Sequence, residues 1–271
     1  MLKIKNNFNL DNTITCGQIF RFKKIDNKYI IILPDRVVEL KIDGDYILVE
    51  SSNEENLESV IKDYFDLNTD YNKLLQDSNL DKDIIDFNSG NKIIHQDPVI
   101  TLIEYIISSA NKVERISKSL DLISRKCGKK VIFNNEEYYL FPSLDDLKKL
   151  SVDDFRDCKV GFRDKYLYEI VHSDIDLNSI NNMNSDEALK YLKSFKGIGT
   201  KVASCILLFA YQRLDVYPID TWVKKYMKDT YNIEGEKNIR EFTNKKYKEY
   251  SGLVIQYMFN YKRNNNEQKR N

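Results

Sequence analysis

The spacing of apolar residues changes character once along the 271-residue chain, and that change limits the possible fold more than any other feature. From Gly17 to Glu50, strand-forming residues alternate with polar ones or cluster in short runs. Turn-forming pairs at Asp26-Asn27, Pro34-Asp35 and Asp43-Gly44 interrupt them. The pattern predicts an antiparallel meander. Leu57, Val60, Ile61, Tyr64 and Phe65 then fall at helical spacing, which predicts one helix across a face of that sheet. Beyond Gly90 the pattern is almost wholly helical. It starts at Pro98, whose fixed φ suits a first helical turn, and runs on through VITLIEYIISSA. Ser143, Ser151 and Ser185 each precede a helical run with acids in its first turn, as expected of N-caps. A final helix is expected over roughly residues 251 to 262. The expected class is α+β: an N-terminal antiparallel β-sheet lobe with its packing helix over 1–88, a mostly α-helical domain over 89–263, and a tail over 264–271 too polar to fold.

Hydrophobic residues make up 42% of the chain, enough to build cores of that size. No run approaches the roughly 20 apolar residues of a membrane span, and the opening MLKIKNNFNLDNT lacks the apolar block of a signal peptide. The expectation is a soluble, cytoplasmic monomer without a membrane partner. Cys16, Cys127, Cys158 and Cys205 lack the close pairing of zinc or iron–sulfur sites, so free thiols and no metal site are expected. His95 and His172 are too few for most histidine chemistry and read as ordinary surface or core residues. Net charge is zero, which alone argues against a polyanionic partner. The average conceals a gradient: nine acids face a single lysine between Asp43 and Asp70, whereas Lys190 to Arg263 holds fifteen Lys/Arg against seven Asp/Glu.

The basic half contains the most informative stretch, LKYLKSFKGIGTKVASCILLFAYQ at residues 189–212. Leu189, Leu192 and Phe195 form an apolar helical stripe, Gly197 and Gly199 break it, and Thr200 is placed to cap a second helix. Glycines so spaced allow positive φ and close backbone approach, so that successive N–H groups and a helix N-terminus meet one phosphate. Such a hairpin grips a DNA backbone without reading sequence. Lys201 opens the second helix, where N–H dipoles and the neighbours Lys193 and Lys196 oppose its protonation, as an amine nucleophile requires. An ordinary interhelical turn and a plain phosphate-contacting lysine are the alternatives, and these residues leave them open. In Tyr217-Pro218-Ile219-Asp220-Thr221-Trp222-Val223, Pro218 keeps the chain extended and Asp220 stands where the next helix needs its N-cap. A capping carboxylate accepts backbone N–H bonds and is expected to stay ionised, the form that stabilises a cationic transition state. A purely structural cap is again the alternative.

In order along the chain, CGQIFRF, QDP, SSANKVER, VGFRDKY, KGIGTKVASC, YPID and QYMF resemble the 8-oxoguanine DNA glycosylases of the helix-hairpin-helix superfamily. The similarity covers about residues 12 to 260 and combines motifs of unrelated kinds. It implies that Lys201 is the Schiff-base lysine and Asp220 the catalytic aspartate. Cys205, one helical turn beyond Lys201, corresponds to the cysteine that packs on the damaged base. Gly17 corresponds to the glycine whose carbonyl accepts the N7–H that only oxidised guanine carries, and Phe259 to the aromatic that stacks on the flipped base. Arg115 and Arg163 match the arginine pair that reads the opposite base. The resemblance and the hairpin together assign Gly197, Gly199, Thr200 and Trp222 to the DNA backbone.

Three positions depart from the family pattern. Ala110 stands where an asparagine is common, and Trp222 where animal members have a histidine. Ile255 stands where the base-reading glutamine is expected; Gln256 is adjacent but turned about 100° away on an ideal helix. The implied activity is excision of 8-oxoguanine from double-stranded DNA by a bifunctional glycosylase and lyase working at the nucleoid, with no metal or organic cofactor. A glycosylase for other damaged bases would keep the hairpin and Asp220 but usually lacks a lysine at position 201. A noncatalytic helix-hairpin-helix DNA-binding module would leave the pairing of Lys201 with Asp220 without a purpose.

Overall fold

The structure, a computed structural model, describes residues 1–267. Five antiparallel strands form the N-terminal sheet: β1 (Leu2–Lys5), β2 (Phe22–Ile25), β3 (Lys28–Ile32), β4 (Val37–Asp43) and β5 (Tyr46–Ser51). Their order is β1-β5-β4-β3-β2, so the expected meander β2 to β5 is present. The sequence pattern had not revealed β1, which adds to the outer edge of β5 with Leu2 opposite Val49. Two helices join the lobe, α1 (Leu10–Thr15) and the expected α2 (Leu57–Tyr64). Ile47 and Val49 alternate with less buried neighbours along β5 and meet Leu40, Ile61 and Phe65 in the lobe's core, the half-buried period of two expected of such a sheet.

Helices α3 (Tyr71–Asp77) and α4 (Lys82–Phe87) precede α5 (Pro98–Ser108) and α6 (Val113–Cys127). Pro98 occupies the first turn of α5 as expected, and the Asp97 side chain caps it by accepting from Val99 and Ile100, both at 2.9 Å. A second hairpin follows, β6 (Lys130–Phe133) and β7 (Glu136–Tyr139), inside the region read as helical. Its loop is Asn134-Asn135, with φ of 50° and 62°. These are turn values that asparagine tolerates, so a signal was there to be read. The hairpin covers the far face of the sheet, where Tyr138 and Leu140 pack on Ile30 and Val37.

The remaining helices are α7 (Leu144–Leu147), α8 (Val152–Asp157), α9 (Asp164–Val171), α10 (Ser185–Lys193), α11 (Thr200–Tyr211), α12 (Thr221–Tyr231), α13 (Glu236–Tyr247) and α14 (Ser251–Glu267). Ser143 and Ser151 cap α7 and α8 through reciprocal bonds with Asp146 and Asp154. Two expected caps move by one residue. Asn184, not Ser185, caps α10, because it pairs reciprocally with Glu187 at 3.0 Å in both directions. Gly199, not Thr200, occupies the cap of α11, and Thr200 is its first residue. The last helix extends past the expected end to Glu267, so part of the expected tail is helical; residues 268–271 of that tail lie outside the described residues.

Helix α11 is the centre of the helical region: every residue from Val202 to Ala210 is buried. It packs on α5, with Tyr105 stacked on Phe209 at 5.5 Å between ring centroids. Packing crosses the proposed division at residue 88. Tyr71, Leu75, Leu80 and Ile84 belong to the helical core, while Ile94 belongs to the lobe's. Gln18 strengthens the junction. Its side chain donates to the Lys92 carbonyl (2.7 Å) and accepts from Ile94 N–H (2.9 Å). Its carbonyl accepts from Gln96 (2.8 Å) and the Tyr105 hydroxyl (3.0 Å). The segment carrying Gly17 is thereby fixed against α5. No helix among the described residues is long and apolar enough to cross a membrane.

Candidate active site

A cleft of about 630 Å³ opens where the lobe meets the helical region. Gly17, Lys201, Cys205, Asp220, Trp222, Gln256 and Phe259 all line it, although they come from segments far apart in sequence. Lys201 is exposed on the first turn of α11, and Cys205, one turn further, is buried. Burial pushes the Cys205 thiol up to about 12, opposed in part by the charge of Lys201, so the group is a neutral packing surface.

Asp220 caps α12 by accepting the Val223 N–H at 2.8 Å, the role expected from its position. Burial works against the bonds of the cap. Desolvation outweighs the backbone bonds from Val223 and Trp222 and the charges of Lys201 and Lys224, and lifts the carboxyl above its ordinary value. Capping alone favours the carboxylate; burial in the cleft wall penalises it.

The hairpin before α11 uses its two glycines differently. Gly197 has φ of +91°, and a Cβ there would lie 2.9 Å from Tyr166 Cβ, so both backbone geometry and packing require glycine. Gly199 has φ of −86°, and nothing lies within 4 Å of the corresponding position. No side chain caps the first turn of α11, and open space adjoins it. Lys196 is not an uncompensated neighbour of Lys201, because it pairs with Glu169 at 2.9 Å.

On α14, Gln256 and Phe259 are three residues apart and share the face turned to the cleft. Gln256 is buried, with its amide 3.8 Å from the Cys16 thiol. Ile255 also borders the cleft, so the helix presents both positions, and the glutamine is the polar one. Gly17 has φ of +88°, and a Cβ there would stand 2.7 Å from Arg263 Nη1 and 3.3 Å from Phe259. Glycine is demanded twice, by conformation and by contact.

Arg115 and Arg163 do not line the cleft. Arg115 is exposed on α6. Arg163 is 5% exposed, and its guanidinium donates to the carbonyls of Val160 (3.0 Å) and Ser109. It also lies 4.2 Å from the ring centroid of Phe162, which is 66% exposed. Ala110, next to Ser109, has φ of +50°, a left-handed conformation that explains why asparagine suits this position.

Gln18, Phe162 and Arg263 went unnoticed in the sequence. Gln18 sits in a strand-like run, and Arg263 at the edge of a polar tail. An aromatic beside a family arginine was the one available signal for Phe162. Among the described residues, no group of three or more His, Cys, Asp or Glu is placed to hold a metal ion.

Residues 1–102 match the N-terminal domain of 8-oxoguanine DNA glycosylase. The 8-oxoguanine glycosylase/lyase of Clostridium acetobutylicum, solved with double-stranded DNA carrying cytosine opposite 8-oxoguanine, is 38% identical. That similarity covers 97% of this chain and 94% of the other, with a TM-score of 0.91. A probable N-glycosylase/DNA lyase of Methanothermobacter thermautotrophicus is 29% identical over 77% of this chain and 74% of its own. The 3-methyladenine DNA glycosylase of Archaeoglobus fulgidus shares the fold at 20% identity, covering 97% and 99% of the two chains with a TM-score of 0.82. With the lysine, the capping aspartate and Gly17 of the sheet lobe lining one cleft, the hairpin directly before that lysine, and identity of this extent, the chain belongs to the 8-oxoguanine DNA glycosylase/lyase family of the helix-hairpin-helix superfamily.

Proposed function

We propose that this cleft receives an 8-oxoguanine nucleotide swung out of double-stranded DNA, and that Lys201 and Asp220 carry the excision. The observation that supports this most is the sharing of one cleft by Lys201 and the half-buried carboxyl of Asp220, with Cys205 and Phe259 available to hold a flat base. Extrusion comes first, since a stacked base hides its glycosidic carbon, and it costs about a few kcal/mol. The free amine of Lys201 then attacks C1′ of the sugar. The C1′–N9 bond breaks, the base leaves with the electron pair, and Asp220 in its ionised form stabilises the positive charge on the sugar. Proton loss from nitrogen and opening of the sugar ring give an imine between Lys201 and C1′. Removal of a C2′ proton then expels the 3′ phosphate by β-elimination and cuts the strand.

Gly17 offers its carbonyl to the N7–H of the lesion, Gln256 its amide to the Watson–Crick edge, and Phe259 its ring to the base. Gly197, Gly199, Thr200 and Trp222 hold the phosphate backbone, the uncapped first turn of α11 supplying N–H donors. Arg115 and Arg163 address the opposite base. The protein acts as a monomer in the cytoplasm, on nucleoid DNA. Each residue role is tested first at Lys201. Borohydride should trap a covalent adduct on a duplex with 8-oxoguanine opposite cytosine, and Lys201→Gln should lose it entirely. Trapping that survives the substitution means another amine is the nucleophile.

A further inference from the structure

Arg263 lines the cleft yet has no part in the steps above. Its guanidinium is held on two sides. Nη2 donates to the Thr15 carbonyl at 2.8 Å, and the guanidinium carbon lies 5.5 Å from the Phe259 ring centroid. Nη1 reaches Gly17 so closely that a Cβ there would come within 2.7 Å. Nε is buried without a partner, and no carboxylate pairs with Arg263 among the described residues. An unmatched cation fixed beside a proposed base-reading carbonyl has donor capacity in reserve.

Helix α14 sets the direction of that capacity. Gln256, Phe259 and Arg263 stand at i, i+3 and i+7 on one face, which puts the first and last about 10 Å apart along the axis with the aromatic between them. Gln256 lies beside Cys16, and Arg263 beside Gly17 and Thr15. A purine stacked on Phe259 therefore meets polar groups on two different flanks. With Gln256 at the Watson–Crick edge and the Gly17 carbonyl at N7–H, Arg263 falls on the C8 side, where oxidation has added an oxygen. We propose that Arg263 is a specificity-determining residue whose Nη1 donates a hydrogen bond to the C8 oxygen of the flipped base. This assignment rests on the reading of the cleft given above. As the C1′–N9 bond breaks, the electron pair passes to the base, and a cation at O8 stabilises the charge that develops there.

The test compares single-turnover excision of 8-oxoguanine with that of 8-thioguanine in matched duplexes. Both carry N7–H, so Gly17 treats them alike; they differ in one acceptor atom, and sulfur accepts poorly. The oxygen-over-sulfur rate ratio should fall about tenfold or more in Arg263→Met, the loss expected for one charge-assisted hydrogen bond. Arg263→Lys, which keeps a charged donor, should retain part of the ratio. A purely structural role, holding Thr15 and Phe259, would slow both substrates equally and leave the ratio at its wild-type value, and that result overturns the assignment. Wild-type protein that excises 8-oxoguanine no faster than guanine overturns the reading of the cleft and this assignment with it.

Discussion

The proposed lesion side and the proposed opposite-base side of this protein differ in how much of their machinery stands ready before DNA arrives. Lys201, Cys205, Asp220, Gln256 and Phe259 already line one cleft, on helices fixed by a buried core. On the other side, the Arg163 guanidinium is engaged with the carbonyls of Val160 and Ser109. Turning it toward a base would expose two carbonyls and break hydrogen bonds to a charged group, each worth about 1.5–3 kcal/mol. On the proposed assignment of these residues, excision chemistry is preorganised, whereas reading of the opposite base by Arg163 draws on folding energy. Discrimination against the wrong opposite base should accordingly be weak, and should rest on Arg115 more than on Arg163.

The comparison breaks most visibly at Asp220. Asp220→Asn should keep the cap to Val223, since an amide oxygen accepts equally, yet slow base release about a hundredfold or more by removing the charge. Stability should move the other way. Burial raises the Asp220 pKa in the fold above its unfolded value, so the stability it contributes is present at low pH and lost as pH rises through the folded value. The asparagine variant has no such loss. Its melting temperature should exceed that of the wild type most at neutral pH, with the gap closing below the ordinary carboxylate range. Equal turnover would place Asp220 outside the reaction, whereas a less stable variant at pH 7 would mean that the fold does not penalise its carboxylate.

The same contrast marks what the sequence could disclose. Periods of two and 3.6 exposed the meander and the helices because burial of one face enforces them. Ser143, Ser151 and Asp220 were legible as caps because orphan N–H groups demand a local acceptor within three residues. Features decided by distant partners stayed hidden. Strand β1 is a strand through its pairing with β5 some forty residues later. The raised pKa of Asp220 arises from burial in a cleft that no single segment forms. The family resemblance pointed Arg163 to the opposite base, and nothing in the sequence could show that Ser109, more than fifty residues earlier, would accept from it.

Gly17→Ala is the next largest expected effect. The new methyl would meet Arg263 and Phe259 and would hold a left-handed conformation that alanine resists by about 1–2 kcal/mol. Preference for 8-oxoguanine over guanine in duplex binding should fall about tenfold, one carbonyl bond displaced. Unchanged preference would mean the Gly17 carbonyl does not read the lesion. Arg163→Ala should act mainly on the fold, costing about 1–3 kcal/mol by leaving the carbonyls of Ser109 and Val160 without their donor. Its excision rates with each of the four opposite bases should keep nearly the wild-type order, while Arg115→Ala should flatten that order at unchanged stability. The reverse pattern would show that Arg163 swings out on binding.

The smallest effect is expected at Ala110, at the junction of the two sides. Its φ of +50° costs alanine energy that asparagine, with its local hydrogen bonding, largely avoids. Ala110→Asn should therefore stabilise the protein by about 0.5–1 kcal/mol, a rise in melting temperature of roughly 1–4 °C. Excision opposite cytosine is the sharper readout. If the asparagine fills space vacated by the flipped base, cytosine preference rises together with stability, and Ala110 is part of what leaves the opposite-base side unready. A gain in stability with the four opposite-base rates unchanged would confine Ala110 to backbone strain and leave the engagement of Arg163 as the cause of weak discrimination.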